Sequence, residues 1–183
     1  MGHSTKDAII PQYLDLLDEQ RETTFQAIDR LTEDQIWQRP EPGEWCIGEI
    51  LNHTQLVFSS LLSMIRFIWC LFNWSAKLWP NRDFRTTIGD PYRKARAPMW
   101  VGFFWKPKHS PEKPISFEDL KTVLRAQHQQ IRTFYEDKPA CLLGNVFVFD
   151  PLFGFVNLIL ALRVGLYHDH LHFEDVIQIG KTF

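Results

Sequence analysis

Four stretches of the chain carry apolar residues at every third or fourth position, and this spacing restricts the fold more than any other feature. They cover residues 6–31, a stretch from Cys46 to about 69, residues 116–137 and residues 150–178. Apolar residues at this spacing form one face of an α-helix. Alternation with period two occurs only over residues 146–149. The sequence therefore predicts an all-α protein, and a four-helix bundle is the simplest way to bury the four apolar faces.

Capping residues mark where several helices begin. Thr32 with Gln35 forms a capping-box pattern that opens a short helix, and Ser116 with Asp119 opens the third long helix. Asp150 followed by Pro151 has the pattern of an N-cap and a first-turn proline, so we expect the fourth long helix to begin there.

Near the end of the fourth predicted helix, the sequence HDHLH places two histidines one helical turn apart. His168 and His172 leave the same face of a helix, whereas His170 points to roughly the opposite side. An i, i+4 pair of histidines is half of a metal site, and Asp175 follows one turn later. Zinc, nickel, copper and iron all suit such a pair, and a third ligand is needed from elsewhere. The alternative is a solvated, histidine-rich helix end.

A third histidine lies on the apolar face of the second predicted helix. His53 shares that face with Ile50, Val57 and Met64, so it is expected to point inward. His53 is therefore the candidate third ligand, and the alternative is a core histidine that is satisfied by other partners. The weaker candidates for a catalytic acid or base are Glu49, His128 and Asp175.

Length, composition and cysteine usage favour one domain in a reducing compartment. The chain has 183 residues, 45% of them apolar, and a net charge of −2, which excludes a disordered protein and suits a single domain over residues 1–183. Its three cysteines form no CxxC motif, and the N-terminus has no secretion signal, so a cytoplasmic location is expected. Residues 56–74 and 146–167 approach the length of a membrane span, but charged residues interrupt both, so we expect core helices and no span.

Between the second and third helices, residues 70–114 form a long basic and aromatic insertion. It contains four of the seven tryptophans, and it has nine Lys or Arg against three Asp or Glu, a net charge of +6. We expect its aromatic residues, including Trp100 and Trp105, to pack on the bundle or on a partner. Arg93, Lys94 and Arg96 would bind an anionic substrate group if the insertion covers the site. Nucleic acid is not expected as a partner because the chain has no dense basic stripe.

The second and fourth helices each carry an additional apolar stripe. A helix of a four-helix bundle needs only one apolar face, so a further cover is required. The insertion, a second copy of the chain, or both would supply it. We therefore predict a homodimer whose interface includes Phe58, Leu62, Ile159 and Leu166.

Three motifs follow one another along the chain: WCIGEILNH at residues 45–53, DPLFG at 150–154 and HDHLHFEDV at 168–176. In these motifs and their order the chain resembles the DinB/YfiT-like superfamily of metalloenzymes. The resemblance extends over nearly all of the chain except the insertion. It implies a four-helix bundle that binds one divalent metal ion, most often zinc or nickel, through His53, His168 and His172.

The chain departs from the superfamily's usual pattern at two positions. Cys46 stands where relatives usually have Ser or Thr, and Asp175 stands where many have Gln. The resemblance implies a metal-dependent hydrolase or a thiol-dependent transferase that acts on a small molecule, with a thiol as one candidate substrate. The alternative is a non-catalytic binding or stress-related protein that uses the bundle and the insertion as an interaction surface.

Overall fold

A computed structural model describes residues 6, 8–92 and 105–183 of the chain. Among these residues it contains six helices and one β-hairpin. In chain order they are α1 (Ile9–Ile28), α2 (Glu33–Ile36), α3 (Ile47–Lys77), α4 (Phe117–Glu136), α5 (Ala140–Leu143), β1 (Phe147–Asp150), β2 (Gly154–Asn157) and α6 (Leu158–Gly180).

The four long helices form the predicted bundle. Helix α1 packs against α4 and α6, and α3 packs against the same two helices, so α1 and α3 lie at opposite corners. The predicted caps at Thr32 and Ser116 are both present: the Thr32 hydroxyl accepts from the N–H of Gln35, and the Ser116 hydroxyl accepts from the N–H of Asp119 at 3.0 Å. The all-α fold class is therefore confirmed, with one short hairpin added to it.

A polar layer crosses the interior of the bundle and separates two apolar clusters. On α3 one cluster ends at Leu51 and the other begins at Phe58, with His53 and Thr54 buried between them. The other three long helices are divided in the same way, by Thr24 on α1, by His128 on α4 and by Asp169 on α6. Polar groups in a core need partners, so this layer is the first place to look for function.

The predicted start of the fourth helix at Asp150 is wrong. The Asp150 carboxylate accepts from the N–H groups of Leu152 at 2.8 Å and Phe153 at 3.0 Å, which makes a turn, and Gly154 adopts a φ of +73°. This turn joins the antiparallel strands β1 and β2. Helix α6 begins seven residues later than Pro151, and Asn157 caps it by accepting from the N–H of Leu160 at 2.9 Å. Aspartate before proline suits a turn as well as a helix start.

The long connection between α3 and α4 is shorter than the predicted insertion, because α3 continues through Lys77. The described parts of this connection are tied to the bundle by side chains that bind its main chain. The hydroxyl of Tyr13 donates to the carbonyl of Thr86 at 2.8 Å, and the hydroxyl of Tyr167 donates to that of Ile88 at 3.0 Å. On the other side of the connection, the Asn52 amide oxygen accepts from the N–H of Lys108 at 2.7 Å.

The second half of α3 has two apolar faces. One face contributes Phe58, Leu62 and Ile65 to the core. The opposite face, which we call the outer stripe, is solvent-exposed and consists of Met64, Phe67, Leu71, Trp74 and the C-cap residue Leu78. By length and composition, α3 is the one described helix that is apolar enough to cross a membrane. Its packing against α4 and α6 makes it a helix of the bundle.

This arrangement corrects two predictions about what covers the apolar stripes. The four residues assigned to a dimer interface, Phe58, Leu62, Ile159 and Leu166, are each at most 3% exposed and lie inside the bundle of a single chain. The tryptophans at 74 and 79 do not cover a stripe either, because they are 61% and 65% exposed. Trp100 lies outside the described residues.

Candidate metal centre

The imidazoles of His53, His168 and His172 come together at the polar layer, as the helical spacing predicts. One ring nitrogen from each lies within 4.8 Å of the others. The ring centroids are 5.4 Å apart for His53 and His168, 4.9 Å for His53 and His172, and 4.5 Å for His168 and His172. Two helices, α3 and α6, supply the cluster. Three histidines at this separation suit a divalent metal ion with an open coordination position.

The ring of His53 is held by a main-chain atom of the long connection. Its Nδ1 lies 2.7 Å from the carbonyl oxygen of Trp105. A carbonyl oxygen only accepts hydrogen bonds, so Nδ1 carries the proton and donates. The other nitrogen, Nε2, is then unprotonated and presents its lone pair. Metal-binding histidines are commonly oriented by such a hydrogen bond from the second nitrogen.

Burial keeps two of the three imidazoles neutral. It lowers the pKa of His53 to about 4, and the Trp105 carbonyl offsets only part of this effect. For His172, burial and the neighbouring rings of His168 and His53 lower the pKa to about 2. Metal ions bind the neutral form of imidazole. Both rings are therefore in the form that binds a metal ion at neutral pH.

A buried carboxylate that was not among the predicted site residues lies directly behind the cluster. Asp169 is fully buried, with Oδ2 3.3 Å from Nε2 of His128 and Oδ1 3.6 Å from Nδ1 of His168. Burial favours the neutral acid, but the two imidazoles outweigh this and hold the pKa of Asp169 below its ordinary value. The 3.6 Å separation is longer than a hydrogen bond, so Asp169 acts on the ring of His168 through its charge, which favours the tautomer with the proton on Nδ1.

The histidine cluster opens into a cavity of about 950 Å³ between α3, α6 and the hairpin. Among the described residues its wall is mostly apolar, with contributions from Trp45, Val57, Met64, Val148, Leu152, Val164 and Leu171. Tyr92 also lines it, and its ring lies 6.4 Å from that of His168. Burial raises the pKa of Tyr92 to about 12, so its hydroxyl stays protonated and able to donate.

The three candidates for a catalytic acid or base occupy different places. Asp175 lines the cavity, one turn beyond His172. His128 does not line it, because this ring is fully buried behind the site, where it faces Asp169. Glu49 also lies away from the cavity wall, and its carboxylate accepts from the Arg39 guanidinium at 2.7 Å and from the N–H of Cys46 at 3.0 Å. Glu49 therefore caps the start of α3.

The residues assigned to anion binding, Arg93, Lys94 and Arg96, lie outside the described residues. The tryptophan of the WCIGEILNH motif lies beside the histidine cluster, since the rings of Trp45 and His53 are 5.0 Å apart. Cys46 precedes the first turn of α3 and is fully buried, and burial raises the pKa of its thiol to about 12.

Fold and site together define a class of helical bundle in which two helices bring three histidines to an open cavity. The chain belongs to the DinB superfamily, whose sequence model matches residues 16–176. No curated protein matches the chain. Among solved structures it is similar to YfiT from Bacillus subtilis, described as "a probable metal-dependent hydrolase with an unusual four-helix bundle topology". That similarity has a TM-score of 0.62 and 16% sequence identity, and it covers 99% of this chain and 90% of YfiT.

Proposed function

We propose that this protein is a metal-dependent hydrolase that acts on a small molecule in the cavity. The observation that carries the proposal is the convergence of three imidazoles, two of them held neutral by burial, at the wall of a large cavity. A divalent ion bound there, with zinc or nickel expected, would supply Lewis-acid activation of a water molecule or of a substrate thiol or hydroxyl group.

The chain's own residues have distinct roles in this proposal. His53, His168 and His172 hold the ion, the Trp105 carbonyl orients the ring of His53, and the charge of Asp169 lies behind the ring of His168. Asp175 is proposed as the general base, because it lines the cavity on the helix that supplies two of the ligands. Tyr92 is proposed to donate a hydrogen bond from its hydroxyl to bound substrate, because it also lines the cavity. The apolar wall excludes water from the rest of the substrate.

Elemental analysis of untagged protein tests the metal site. We expect about one equivalent of zinc or nickel per chain and its loss in His53→Ala. The matched control is His170→Ala, since His170 is in the same motif but is half exposed and faces Glu174 at 3.2 Å. Metal-free wild-type protein, or equal loss in both variants, would contradict the proposal.

The buried carboxylate provides a finer test of the same site. Replacing Asp169 with Asn keeps the shape of the side chain but removes the charge that faces Nδ1 of His168. Loss of such an orienting partner typically lowers metal affinity by about 10- to 100-fold. Competition with a chromogenic chelator measures this affinity. An unchanged dissociation constant in a folded Asp169→Asn protein would show that the carboxylate does not support the site.

A thiol-dependent transferase remains the second candidate activity, because the same metal chemistry would activate a thiol. Wild-type and Asp175→Asn proteins, both loaded with metal, can be compared on ester, amide and thiol-transfer substrates. Activity on esters or amides that falls in Asp175→Asn supports the hydrolase, whereas turnover only with an added thiol supports the transferase. No turnover in any assay would favour the non-catalytic or stress-related binding protein. The cytoplasmic location, the homodimer and the lack of a nucleic-acid partner stay predictions.

A further inference from the structure

The outer stripe of α3 is an apolar band that continues, toward the end of the helix, the face on which His53, Val57 and Met64 line the cavity. Its five residues follow one another at intervals of three, four, three and four positions, so they lie within about 80° of one another around the helix. Their exposed fractions run from 39% for Met64 to 63% for Phe67 and Leu78. Phe72, on a different face of α3, and Trp79, just past the end of the helix, are also exposed, by 47% and 65%. Contiguous exposed apolar surface of this kind marks an interaction site.

The charged residues of the second half of α3 are all basic, and the first carboxylate after them is Asp83, which contacts Lys6. Arg66 and Lys77 are exposed on α3, and Arg82 follows shortly after its end. No acidic residue occurs between Glu49 and Asp83. Within the part of the chain that the structure describes, no carboxylate pairs with Arg66, Lys77 or Arg82. The partner of this face should therefore be apolar in its interior and negatively charged at its surface.

A second copy of this chain does not meet that requirement. If two outer stripes packed antiparallel about Leu71, Arg66 of each copy would approach Lys77 of the other. If they packed parallel, each cation would approach its own equivalent. Neither arrangement brings a carboxylate to the contact, because the stretch contains none. Like charges at an interface disfavour association.

A membrane surface that contains anionic lipids has both required properties, an apolar interior and a negatively charged surface. Phenylalanine, tryptophan and leucine on one helix face, with Lys and Arg beside them, are typical of helices that lie in the membrane interface. The outer stripe is about 21 Å long at 1.5 Å per residue, which is shorter than the roughly 30 Å of a bilayer's hydrocarbon core. The opposite face of α3 is buried in the bundle. We infer that the outer stripe docks on an anionic lipid surface, parallel to it and without crossing it.

The cavity extends to the edge of this docking face. Met64 belongs both to the outer stripe and to the cavity wall, and Phe149 and Leu152 of the hairpin region also line the cavity while being 59% and 37% exposed. A molecule that enters between them would come from the lipid side. Entry of the substrate from the lipid side rests on the proposed function. It implies an amphiphilic substrate, with its apolar part in the cavity and its polar group at the histidines.

Vesicle flotation tests the docking. We expect metal-loaded wild-type protein to float with vesicles of phosphatidylcholine and phosphatidylserine, to bind phosphatidylcholine alone much less, and to lose binding at high salt. The variant with Phe67→Ser, Leu71→Ser and Trp74→Ser should bind at least about tenfold more weakly. Val123→Ser is the matched control, because Val123 is 43% exposed on α4 and lies outside the stripe.

A charge variant keeps the test valid if the triple variant fails to fold. Arg66→Gln with Lys77→Gln should reduce binding to the anionic vesicles, whereas Lys181→Gln, another exposed lysine, should not. His53→Ala should bind vesicles as the wild type does, so loss of the metal site and loss of docking are separate results. The proposal is overturned if wild-type protein binds neither vesicle or both equally. It is also overturned if sedimentation shows a wild-type dimer that the triple variant dissociates and neither protein binds vesicles.

Discussion

The two halves of α3 show the opposite of what their composition suggests. The more polar half is buried, and the more apolar half exposes a stripe of large side chains. The first half carries Glu49, Asn52, His53 and Thr54, yet every residue from Ile47 to Thr54 is buried. The second half has the longer run of apolar residues, and it exposes the outer stripe. Polar residues are buried in the first half because each has a partner, such as the Lys108 N–H for Asn52. Partners decide which polar residues a core accepts.

The largest effect should separate two phenylalanines on the same helix. Phe58 is 2% exposed and contacts the ring of His128, whereas Phe67 is 63% exposed. Phe58→Ala should lower the free energy of unfolding by about 3 to 5 kcal/mol, and Phe67→Ala by no more than about 0.5 kcal/mol. Urea denaturation of the two variants measures both values. Similar losses would mean that the outer stripe is covered within the chain.

An intermediate effect should come from the buried carboxylate at the start of α3. Glu49→Gln weakens the contacts with Arg39 and the Cys46 N–H, so it should cost about 1 to 2 kcal/mol. These contacts outweigh burial and hold the pKa of Glu49 below its ordinary value. The difference in free energy of unfolding between wild-type and Glu49→Gln proteins should therefore be complete above about pH 4.3 and decrease as the pH falls further.

Denaturation of wild-type and Glu49→Gln proteins at several pH values tests this prediction. Metal content serves as the control, because a capping residue outside the cavity should leave it unchanged. Loss of metal in Glu49→Gln at full stability would instead return Glu49 to the candidates for the site.

The smallest effect concerns the thiols of the two halves. Cys46, the N-cap of α3, is fully buried and burial raises the pKa of its thiol to about 12, whereas Cys70 is exposed beside the outer stripe. A thiol reagent should modify Cys70 in the native protein and reach Cys46 only after unfolding. Cys70→Ser should change the free energy of unfolding by less than about 0.5 kcal/mol. Rapid labelling of Cys46 would show that the start of α3 opens readily.

The register of the histidines was predictable, but the direction of the apolar stripes was not. Spacing placed His53 with Val57 and Met64, and all three line the same cavity. The stripe through Phe58 and Leu62 was interpreted as the outer one, and it is the core face. Periodicity identifies residues that share a face, whereas the neighbouring helices determine which face is buried. A helix with two apolar faces cannot be oriented from its own sequence.

The burial of Asp169 could have been predicted from its position in the sequence. The core stripe of α6 contains Leu162, Leu166 and Phe173, and Asp169 stands in the gap at the same helical spacing. A carboxylate in an apolar stripe needs a buried partner, and His128 occupies the corresponding gap between Leu124 and Ile131 on α4. The start of α6 could not be predicted in this way. An aspartate side chain can accept hydrogen bonds from the backbone either in a turn or at the start of a helix, so Asp150 fits both structures.

The hydrogen bond from His53 to the carbonyl of Trp105 affects how the protein tolerates sequence change. A main-chain oxygen is present whatever side chain position 105 carries, so no point substitution there deletes the acceptor. Mutational drift in the aromatic side chain is therefore compatible with an unchanged tautomer of His53. Insertions or deletions near this residue would shift the oxygen away. Natural variation in this region should accordingly spare the chain length immediately before α4 more strictly than the identity of the residue at 105.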